Sequence, residues 1–183
     1  MTLIGKIFIK NSIHIGLNGQ FAIWAGTLLD FNHPLLLVTD EGKEIESLIR
    51  LARIGYENVI GYLQGGIDAW VQSGGETDSI TTLAIDKVLS KQTTTNVSLL
   101  DVRKRNESIQ ERLPESINIP LDELSPRLNE LDKNKSYAVY CAGGYRSMIA
   151  GSILKRNGFS NVVNIEGGIA QIKNSFPELL ETE

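Results

Sequence analysis

The chain has 183 residues, and because a domain typically has ~100 to 200 residues, this length allows one ordinary domain or two small ones. Hydrophobic residues make up 42% and charged residues 22%, with only 5 prolines, so the composition favours a globular chain with a buried core over a disordered one. The 18 Lys and Arg residues against 22 Asp and Glu residues give a net charge of -4, which is the wrong sign for a general binder of nucleic acid or of an anionic membrane.

Two copies of one unit, offset by roughly 103 residues, organise the chain. The segments that match are 12–15 with 116–119, 38–60 with 141–163, and 65–67 with 167–169. Each copy shows short apolar runs that alternate with helical stretches, which predicts right-handed crossovers and a parallel sheet covered by helices on both faces. The predicted fold class is therefore α/β, with two three-layer α/β/α units.

The predicted elements of the two copies correspond in chain order. In the first copy they are a buried strand at 34–38, a helix at 43–54 ended by Gly55, a strand at 59–60 and a helix at 67–72. In the second copy they are an amphipathic helix at 81–90, a buried strand at 137–140, a helix at 146–157 ended by Gly158, a strand at 162–163 and a helix at 169–174. Residues 73–76 break the pattern, so we place the two domains at 1–77 and 78–183.

Cys141 is the only cysteine in the sequence, which excludes an internal disulfide and a cysteine-rich metal site. The two histidines, His14 and His33, both lie in the first half, so a zinc or iron site built from several imidazoles is disfavoured, and no metal or other cofactor is predicted. No apolar run reaches the ~20 residues that span a bilayer, and the N-terminus lacks the pattern of a signal peptide. We therefore predict a cytoplasmic protein, whose one thiol is either a small buried hydrophobic group or a reactive one.

The sequence around Cys141 favours a reactive thiol. Cys141 follows a predicted strand, and the ligands of an open α/β sheet bind beyond the carboxyl ends of the strands. Gly143 and Gly144 leave backbone N–H groups unshielded, so that these can form an anion-binding nest aimed at the sulfur. The N-terminus of the next helix, the cation of Arg146 and an inward-turned Ser147 hydroxyl would also favour a thiolate. Singly, the glycines are typical of a turn and Arg146 of a surface ion pair, but the combination indicates a nucleophile.

Several motifs of the second copy together resemble a rhodanese (sulfurtransferase) domain, over about residues 80–175. The motifs are Cys141-Ala142-Gly143-Gly144-Tyr145-Arg146-Ser147, Asp101-Val102-Arg103, Ser116-Ile117-Asn118-Ile119-Pro120, Gly158-Phe159 and Glu166-Gly167-Gly168. Glu107 stands at the usual acidic position of the family. Glu111-Arg112-Leu113 stands where the family commonly has Gly-His-Ile. Because these positions lie outside the cysteine loop, the difference affects the expected substrate entrance more than the expected reaction.

This resemblance implies a ping-pong transfer of sulfur. The Cys141 thiolate attacks the sulfane sulfur of thiosulfate or of a low-molecular-weight persulfide, and a thiophilic acceptor, such as cyanide or a cellular thiol, then removes that sulfur. Cys141 and Arg146 are the expected catalytic residues, with Arg146 orienting the loop or the anionic donor, while Asp101 is expected to be structural. The expected substrate-binding residues are Ala142, Gly143, Gly144, Tyr145, Ser147 and Arg103. For Arg103, an ion pair with Glu107 that supports the loop is an equally good interpretation.

Two other functions fit parts of this pattern. A cysteine phosphatase or arsenate reductase also combines Cys and Arg in a backbone cradle. Such enzymes place five residues between the two, whereas four separate Cys141 from Arg146, and Tyr140 stands in the place of an upstream histidine. A non-catalytic carrier or regulatory module would instead hold a persulfide on Cys141 for a partner, because the same nest stabilises the persulfide whether or not turnover follows.

The first copy lacks the nucleophile. Val38 takes the place of Cys141, and Asp40 and Glu41 put two carboxylates where the second copy has bare glycines, so an anionic sulfur would be repelled there. We expect an inactive unit that packs against its active neighbour and shapes the site entrance. Its two tryptophans, at 24 and 70, are expected to pack in the core or between the domains.

The first copy is also incomplete at its N-terminus, because the counterpart of Asp101 would lie before Met1. The first copy, with its residues 14–21, resembles the first of two C-terminal rhodanese domains in persulfide dioxygenase fusions, whose other part is an iron-dependent domain of the metallo-β-lactamase fold. The metal-binding histidine motif of that domain is absent from the sequence, so dioxygenase activity is not predicted. Either the chain is a fragment of such a longer protein, or the β-prone residues 3–9 fill the gap.

The expected partners follow from these interpretations. They are small-molecule sulfur donors and thiol acceptors, a dioxygenase domain in a longer parent chain, and a second chain that pairs with residues 3–9 at an exposed sheet edge to form a homodimer. Neither a nucleic acid nor a membrane is an expected partner.

Overall fold

The computed structural model of the protein describes residues 7–95 and 97–182. The chain divides into two compact units. An N-terminal unit contains Ile7–Lys10 and Ile15–Asp78, and a C-terminal unit contains Asn11–His14 and the chain from Ser79 onward. No helix in the described ranges is long and apolar enough to cross a membrane.

The N-terminal unit contains three helices and four short strands. In chain order these are β1 (Ile7–Ile9), α1 (Phe21–Leu28), β2 (Leu35–Leu37), α2 (Glu44–Ala52), β3 (Val59–Tyr62), α3 (Gly66–Gln72) and β4 (Thr77–Ser79), whose last residue belongs to the C-terminal unit. β2 and β3 pair in parallel, and β1 pairs with β4 in a separate small sheet. A small core gathers Phe21 and Ala25 of α1, Leu51 of α2, and Tyr56.

β2 and β3 are more exposed than the buried strands predicted at these positions. The alternate residues Leu36, Ile60 and Tyr62 are 60%, 68% and 53% exposed. Because successive side chains of a strand point to opposite faces, one face of this sheet is open, and the predicted cover on both faces is wrong for the described N-terminal unit. The prediction for residues 3–9 lies partly outside the described residues, and its described part, β1, joins β4 rather than extending the β2–β3 sheet.

The C-terminal unit is built on a parallel sheet of five strands. Its elements in chain order are β5 (Thr81–Leu83), α4 (Ile85–Thr95), β6 (Val97–Asp101), α5 (Arg105–Gln110), β7 (Ile117–Asn118), β8 (Ser136–Tyr140), α6 (Tyr145–Arg156), β9 (Val162–Ile165) and α7 (Gly168–Ser175). The strand order across the sheet is β5-β9-β8-β6-β7, and every pairing is parallel. The α/β class with a parallel sheet is thus confirmed.

Helices cover both faces of this sheet. Tyr137, Ala138, Val139 and Tyr140, four consecutive residues of the central strand β8, are all buried, and since neighbours on a strand point to opposite faces, neither face is open there. One face packs in a core with residues of α4 and α7, and α6 contacts β8 and β9. The sheet therefore holds the carboxyl end of β8 in a rigid frame, and the loop that follows β8 starts from a fixed position.

The helix predicted at 81–90 is wrong in its first residues. Thr81–Leu83 form the edge strand β5, which pairs in parallel with β9, and α4 begins only at Ile85. Two of the three β5 residues are β-branched threonines, which suit a pleated strand, and the sheet edge offers backbone partners that a local amphipathic pattern does not reveal.

The other predicted elements are confirmed, with ends that differ by at most two residues from the predicted ones. Gly55 and Gly158 follow the ends of α2 and α6 with φ of +82° and +89°. These are left-handed conformations that favour glycine after a helix C-terminus, so both predicted helix ends are confirmed.

Candidate active site

Cys141 directly follows β8, in a short loop that leads into α6. The Gly144 N–H donates a hydrogen bond to the Cys141 sulfur, with the nitrogen 3.1 Å from Sγ. Gly144 caps the N-terminus of α6 with φ of +98°, a conformation that residues with a side chain rarely adopt. The sulfur thus meets a directed N–H donor and the positive end of a 12-residue helix, and both stabilise negative charge on sulfur.

The backbone of this loop borders open space, although the thiol itself is covered. A Cβ atom at Gly143 or Gly144 would meet no heavy atom within 4 Å, apart from immediate chain neighbours. Ala142 and Gly143 are exposed and Tyr145 is half-buried, whereas Cys141 is 1% exposed. The glycines therefore leave room for a substrate beside the loop, while the surrounding protein shields the sulfur from bulk water.

A buried polar pair stands behind the sulfur. Ser147 Oγ lies 3.5 Å from Cys141 Sγ and 2.6 Å from Asn164 Oδ1, and the Asn164 amide donates to Thr82 Oγ1 at 3.2 Å. A serine hydroxyl has only one proton to donate, and the short contact directs it to Asn164. Ser147 can then accept a hydrogen bond from the Cys141 thiol. To donate a hydrogen bond to a Cys141 thiolate instead, the Ser147 hydroxyl must rotate its proton toward Sγ.

The carbonyl groups of the loop are anchored by the start of α7. The Ile169 N–H donates to the Cys141 carbonyl at 2.9 Å, and the Ala170 N–H donates to the Ala142 carbonyl at 3.0 Å. This approach requires glycine at 168, because a Cβ atom there would lie 2.2 Å from the Cys141 carbonyl oxygen. The packing of α7 thereby fixes the peptide planes next to the nucleophile.

We predict that Gly168→Ala is much more disruptive than Gly158→Ala. Both glycines have positive φ, +56° and +89°, but a Cβ atom at Gly158 meets nothing within 4 Å. We expect Gly158→Ala to lower the free energy of unfolding by about 1 kcal/mol through backbone strain, and Gly168→Ala by about 2–4 kcal/mol because a clash with the loop is added. Urea denaturation of the two variants measures the difference, and equal losses would show that the contact between Gly168 and the loop is unimportant.

Arg146, at the second position of α6, is bound by Glu107 of α5. Its Nη1 and Nη2 donate to the two carboxylate oxygens of Glu107 at 2.7 and 2.8 Å, which is a bidentate ion pair. The Arg146 guanidinium holds the pKa of the Glu107 carboxyl below its usual value. The cation that was predicted to lie beside Cys141 is therefore present in the structure, but it is largely neutralised by its own carboxylate.

Arg103 is paired with Asp101, not with Glu107 as in one of its two predicted roles. Nε and Nη2 of Arg103 donate to Asp101 at 2.9 and 2.6 Å, and Nη2 also reaches the Glu111 carbonyl at 2.6 Å. The backbone N–H of Arg103 also donates to the Asp101 carboxylate at 2.9 Å. An aspartate side chain in a turn commonly accepts such a bond from the residue two positions later, so the short spacing favours Asp101 as the partner of Arg103. Arg103 and Asp101 are 3% and 0% exposed, so this is a buried structural ion pair.

The Glu107–Arg146 pair predicts a pH dependence of stability. Because the pKa of folded Glu107 lies below the ordinary 4.5, the pair stabilises the fold above that pH, and its contribution is lost as the pH falls through the depressed value. We expect Glu107→Gln to be less stable than the natural chain at neutral pH, and we expect this difference to shrink as the pH falls below 4.5 and through the depressed pKa of Glu107. Urea denaturation across this range measures the difference. Gln110→Ala, an uncharged change on the same helix, should give a difference independent of pH, and the same behaviour in Glu107→Gln would contradict the prediction.

A cavity of about 310 Å³ opens beside the loop. Its lining residues are Arg103, Glu107, Gln110, Glu111, Ala142, Ile169, Ala170 and Lys173. Lys173 on α7 and Glu111 face each other in an ion pair of 2.8 Å, with 62% and 27% of their side chains exposed. Ala142 directly follows the nucleophile, so this cavity borders the loop next to Cys141.

The structure also assigns positions to residues that the sequence analysis did not single out for the site. Asn164 is a buried polar residue inside β9, among apolar neighbours, and that contrast was the signal in the sequence. Lys173 lies one helical turn after Ile169 on α7, so it shares the face of that helix that borders the loop. Of the residues predicted to bind substrate, Ala142 and Arg103 line the cavity.

The equivalent position of the N-terminal unit has a similar backbone but no nucleophile. A Cβ atom at Gly66 would lie 2.5 Å from the Thr39 carbonyl oxygen, which repeats the close approach of Gly168 to its loop. Val38, Asp40 and Glu41 are exposed at the end of β2. No group of three or more His, Cys, Asp or Glu side chains in the described ranges is arranged to hold a metal ion.

Comparison with known proteins points to one family. A family model described as Rhodanese-like domain matches residues 84–175, which lie in the C-terminal unit. A putative sulfur carrier protein of Bacillus subtilis, YrkF, is 28% identical over 152 residues, covering 79% of this chain and 80% of that protein. A sulfurtransferase of Allochromatium vinosum is 33% identical over 76 residues, covering 42% of this chain and 71% of that protein.

One solved structure is similar to part of the chain. A rhodanese-related protein from Thermoplasma volcanium is 38% identical, with a TM-score of 0.46, covering 52% of this chain and 92% of that chain.

Proposed function

The chain belongs to the rhodanese-like domain family, and from this premise we propose that it is a sulfurtransferase that moves sulfane sulfur through a persulfide on Cys141. The donor is thiosulfate or a low-molecular-weight persulfide, and the acceptor is cyanide or a thiol. The observation that carries the proposal is the Gly144 N–H, 3.1 Å from Sγ at the N-terminus of α6. The outer sulfur of a persulfide is anionic at neutral pH, and such donors stabilise it without a general acid.

The first half-reaction loads the cysteine. The Cys141 thiolate forms a bond to the outer sulfur of the donor, and the bond between that sulfur and the rest of the donor breaks. With thiosulfate, sulfite leaves with the electron pair; with a persulfide R–S–SH, the thiolate R–S⁻ leaves and the proton stays on the transferred sulfur or passes to water. Charge and atoms balance in both cases, so no external oxidant is required.

The second half-reaction unloads it. The acceptor attacks the outer sulfur, the bond between the two sulfur atoms breaks, and the electron pair returns to Cys141 Sγ. Gly144 N–H and a rotated Ser147 hydroxyl would stabilise the returning thiolate. Arg146, held by Glu107, would position the start of α6 and so the direction of the Gly144 N–H.

A non-catalytic carrier is the second candidate, because YrkF, the relative that matches the longest part of the chain among those described above, is named as a putative sulfur carrier protein. A carrier would accept sulfur at the same position but would not release it repeatedly to small acceptors. A phosphatase is less well supported, since the Glu107 carboxylate already occupies both outer nitrogens of Arg146 that would hold phosphate oxygens.

Steady-state turnover tests the proposal. With thiosulfate or glutathione persulfide as donor and cyanide as acceptor, we expect many equivalents of thiocyanate per chain. A single equivalent per chain would support the carrier, and release of p-nitrophenol from p-nitrophenyl phosphate faster than thiocyanate formation would support the phosphatase. Each result identifies one of the three candidates.

The N-terminal unit would have a supporting role in this proposal. Val38 cannot form a persulfide, and the exposed carboxylates of Asp40 and Glu41 would repel an anionic sulfur. We therefore assign sulfur transfer to the domain at 78–183 and treat the domain at 1–77 as inactive. A dioxygenase domain in a longer parent chain, or a second copy of this chain, remains a proposed partner.

A further inference from the structure

The cavity beside the loop is electrically balanced. Three cations and three carboxylates lie in or next to its wall, and each cation is bound to one carboxylate: Arg103 to Asp101, Arg146 to Glu107, and Lys173 to Glu111. The net charge of this group is therefore zero. A ligand that enters the cavity meets positive and negative groups in equal number.

This balance is a poor match for thiosulfate, which concentrates two negative charges on five atoms. To bind it, a cation would have to leave its carboxylate, and the carboxylate would then face the dianion unpaired. The Arg103–Asp101 pair is almost completely buried, and Arg146 and Glu107 are only 17% and 33% exposed. Lys173 and Glu111 form the most exposed of the three pairs, so they are the groups that can most easily exchange partners.

The size and the apolar part of the wall fit an organic molecule. A volume of about 310 Å³ lies at the lower end of the ~300–1,000 Å³ typical of small-molecule sites, and a five-atom anion would fill only a small part of it. Ala142, Ile169 and Ala170 supply aliphatic surface next to the loop. The wall of the cavity thus combines the charged pair of Lys173 and Glu111 with an aliphatic patch that the carbon atoms of a ligand can cover.

On the basis of the proposed sulfurtransferase activity, we propose that this cavity binds the carbon-bearing part of a low-molecular-weight persulfide that carries both an ammonium and a carboxylate group, with Lys173 and Glu111 as the specificity-determining residues. The carboxylate of the ligand pairs with Lys173 and its ammonium group pairs with Glu111. One ion pair is exchanged for two, so the ammonium and this carboxylate of the ligand each gain a partner in the wall. The persulfide then transfers its outer sulfur to the Cys141 thiolate and leaves as a thiolate.

The test compares kcat/KM for glutathione persulfide and for thiosulfate in the full chain. We expect the natural chain to prefer glutathione persulfide. Glu111→Gln leaves one positive charge unpaired, so kcat/KM should rise roughly threefold to tenfold for thiosulfate and fall roughly tenfold for glutathione persulfide. Lys173→Met should lower kcat/KM for both donors. Glu130→Gln makes the same charge change on a turn that does not line the cavity, and it should change neither value.

Opposite changes for the two donors in Glu111→Gln are the decisive result. If Glu111→Gln changes both values by the same factor, or if the natural chain prefers thiosulfate, the assignment of the cavity is wrong although the sulfurtransferase activity stands. If neither donor places sulfur on Cys141, the proposed function itself fails. Circular dichroism and urea denaturation of each variant exclude misfolding as the cause of a lost activity.

Discussion

Replacing Cys141 with serine is expected to abolish sulfur transfer, with a loss of roughly a thousandfold or more in thiocyanate formation. The hydroxyl of serine occupies nearly the same volume as the thiol, so the buried position remains filled and the fold is retained. An alkoxide is far harder to form than a thiolate and cannot hold a transferable sulfur in a persulfide. The measurement is steady-state turnover with each donor, together with urea denaturation to show an intact fold.

Ser147→Ala is the matched control for this result. Ser147 touches the sulfur only at 3.5 Å and shares its hydroxyl with Asn164 at 2.6 Å. We expect Ser147→Ala to reduce the rate by roughly tenfold, since one hydrogen bond to the returning thiolate is lost. Turnover of Cys141→Ser close to that of the natural chain would exclude the cysteine as the nucleophile.

Removing Asp101 is expected to give the largest loss of stability among the charged residues of the site. Asp101→Leu leaves the Arg103 cation in a position where it is only 3% exposed, and breaking a buried ion pair in this way costs about 3–5 kcal/mol. The variant also loses the carboxylate that accepts the Arg103 backbone N–H. Urea denaturation is the measurement.

The double variant Asp101→Leu with Arg103→Met separates loss of the pair from burial of an unpaired charge. It removes both charges and keeps comparable side-chain volume, so we expect a smaller loss of about 1–3 kcal/mol, from the hydrogen bonds to the Glu111 carbonyl and from the Arg103 backbone N–H. Glu130→Gln, at an exposed pair with Arg127, should cost much less than Asp101→Leu, because solvent screens exposed ion pairs. A double variant as unstable as Asp101→Leu would show that the buried charge is not the cause.

Much of the nucleophile loop could be predicted because its components are contiguous. A cysteine after an apolar strand, two glycines and the start of a helix lie within a few residues, and local conformational rules link them. The same holds for Gly55 and Gly158 at the ends of α2 and α6, where helix end and left-handed glycine coincide. Such features depend on neighbours in the chain, which a sequence displays directly.

The ion pairs could not be predicted in the same way. Glu107 lies 39 residues from Arg146, and two arginines and three acidic residues compete for partners around the loop. The packing of α5 beside α6 decides that Glu107 binds Arg146, which leaves Asp101 for Arg103. The edge strand β5 was missed for a related reason, because its partner β9 lies about 80 residues further along the chain and the local pattern also suits a helix.

The most direct test of the central proposal is the mass of the full chain after incubation with glutathione persulfide and removal of excess donor. We predict a single adduct of about 32 Da, one sulfur atom, that maps to the peptide containing Cys141 and disappears on addition of cyanide. The natural chain should reload after each such cycle, while Cys141→Ser should stay at its original mass. An adduct that persists in Cys141→Ser, or the absence of any adduct on the natural chain, would contradict a persulfide at Cys141.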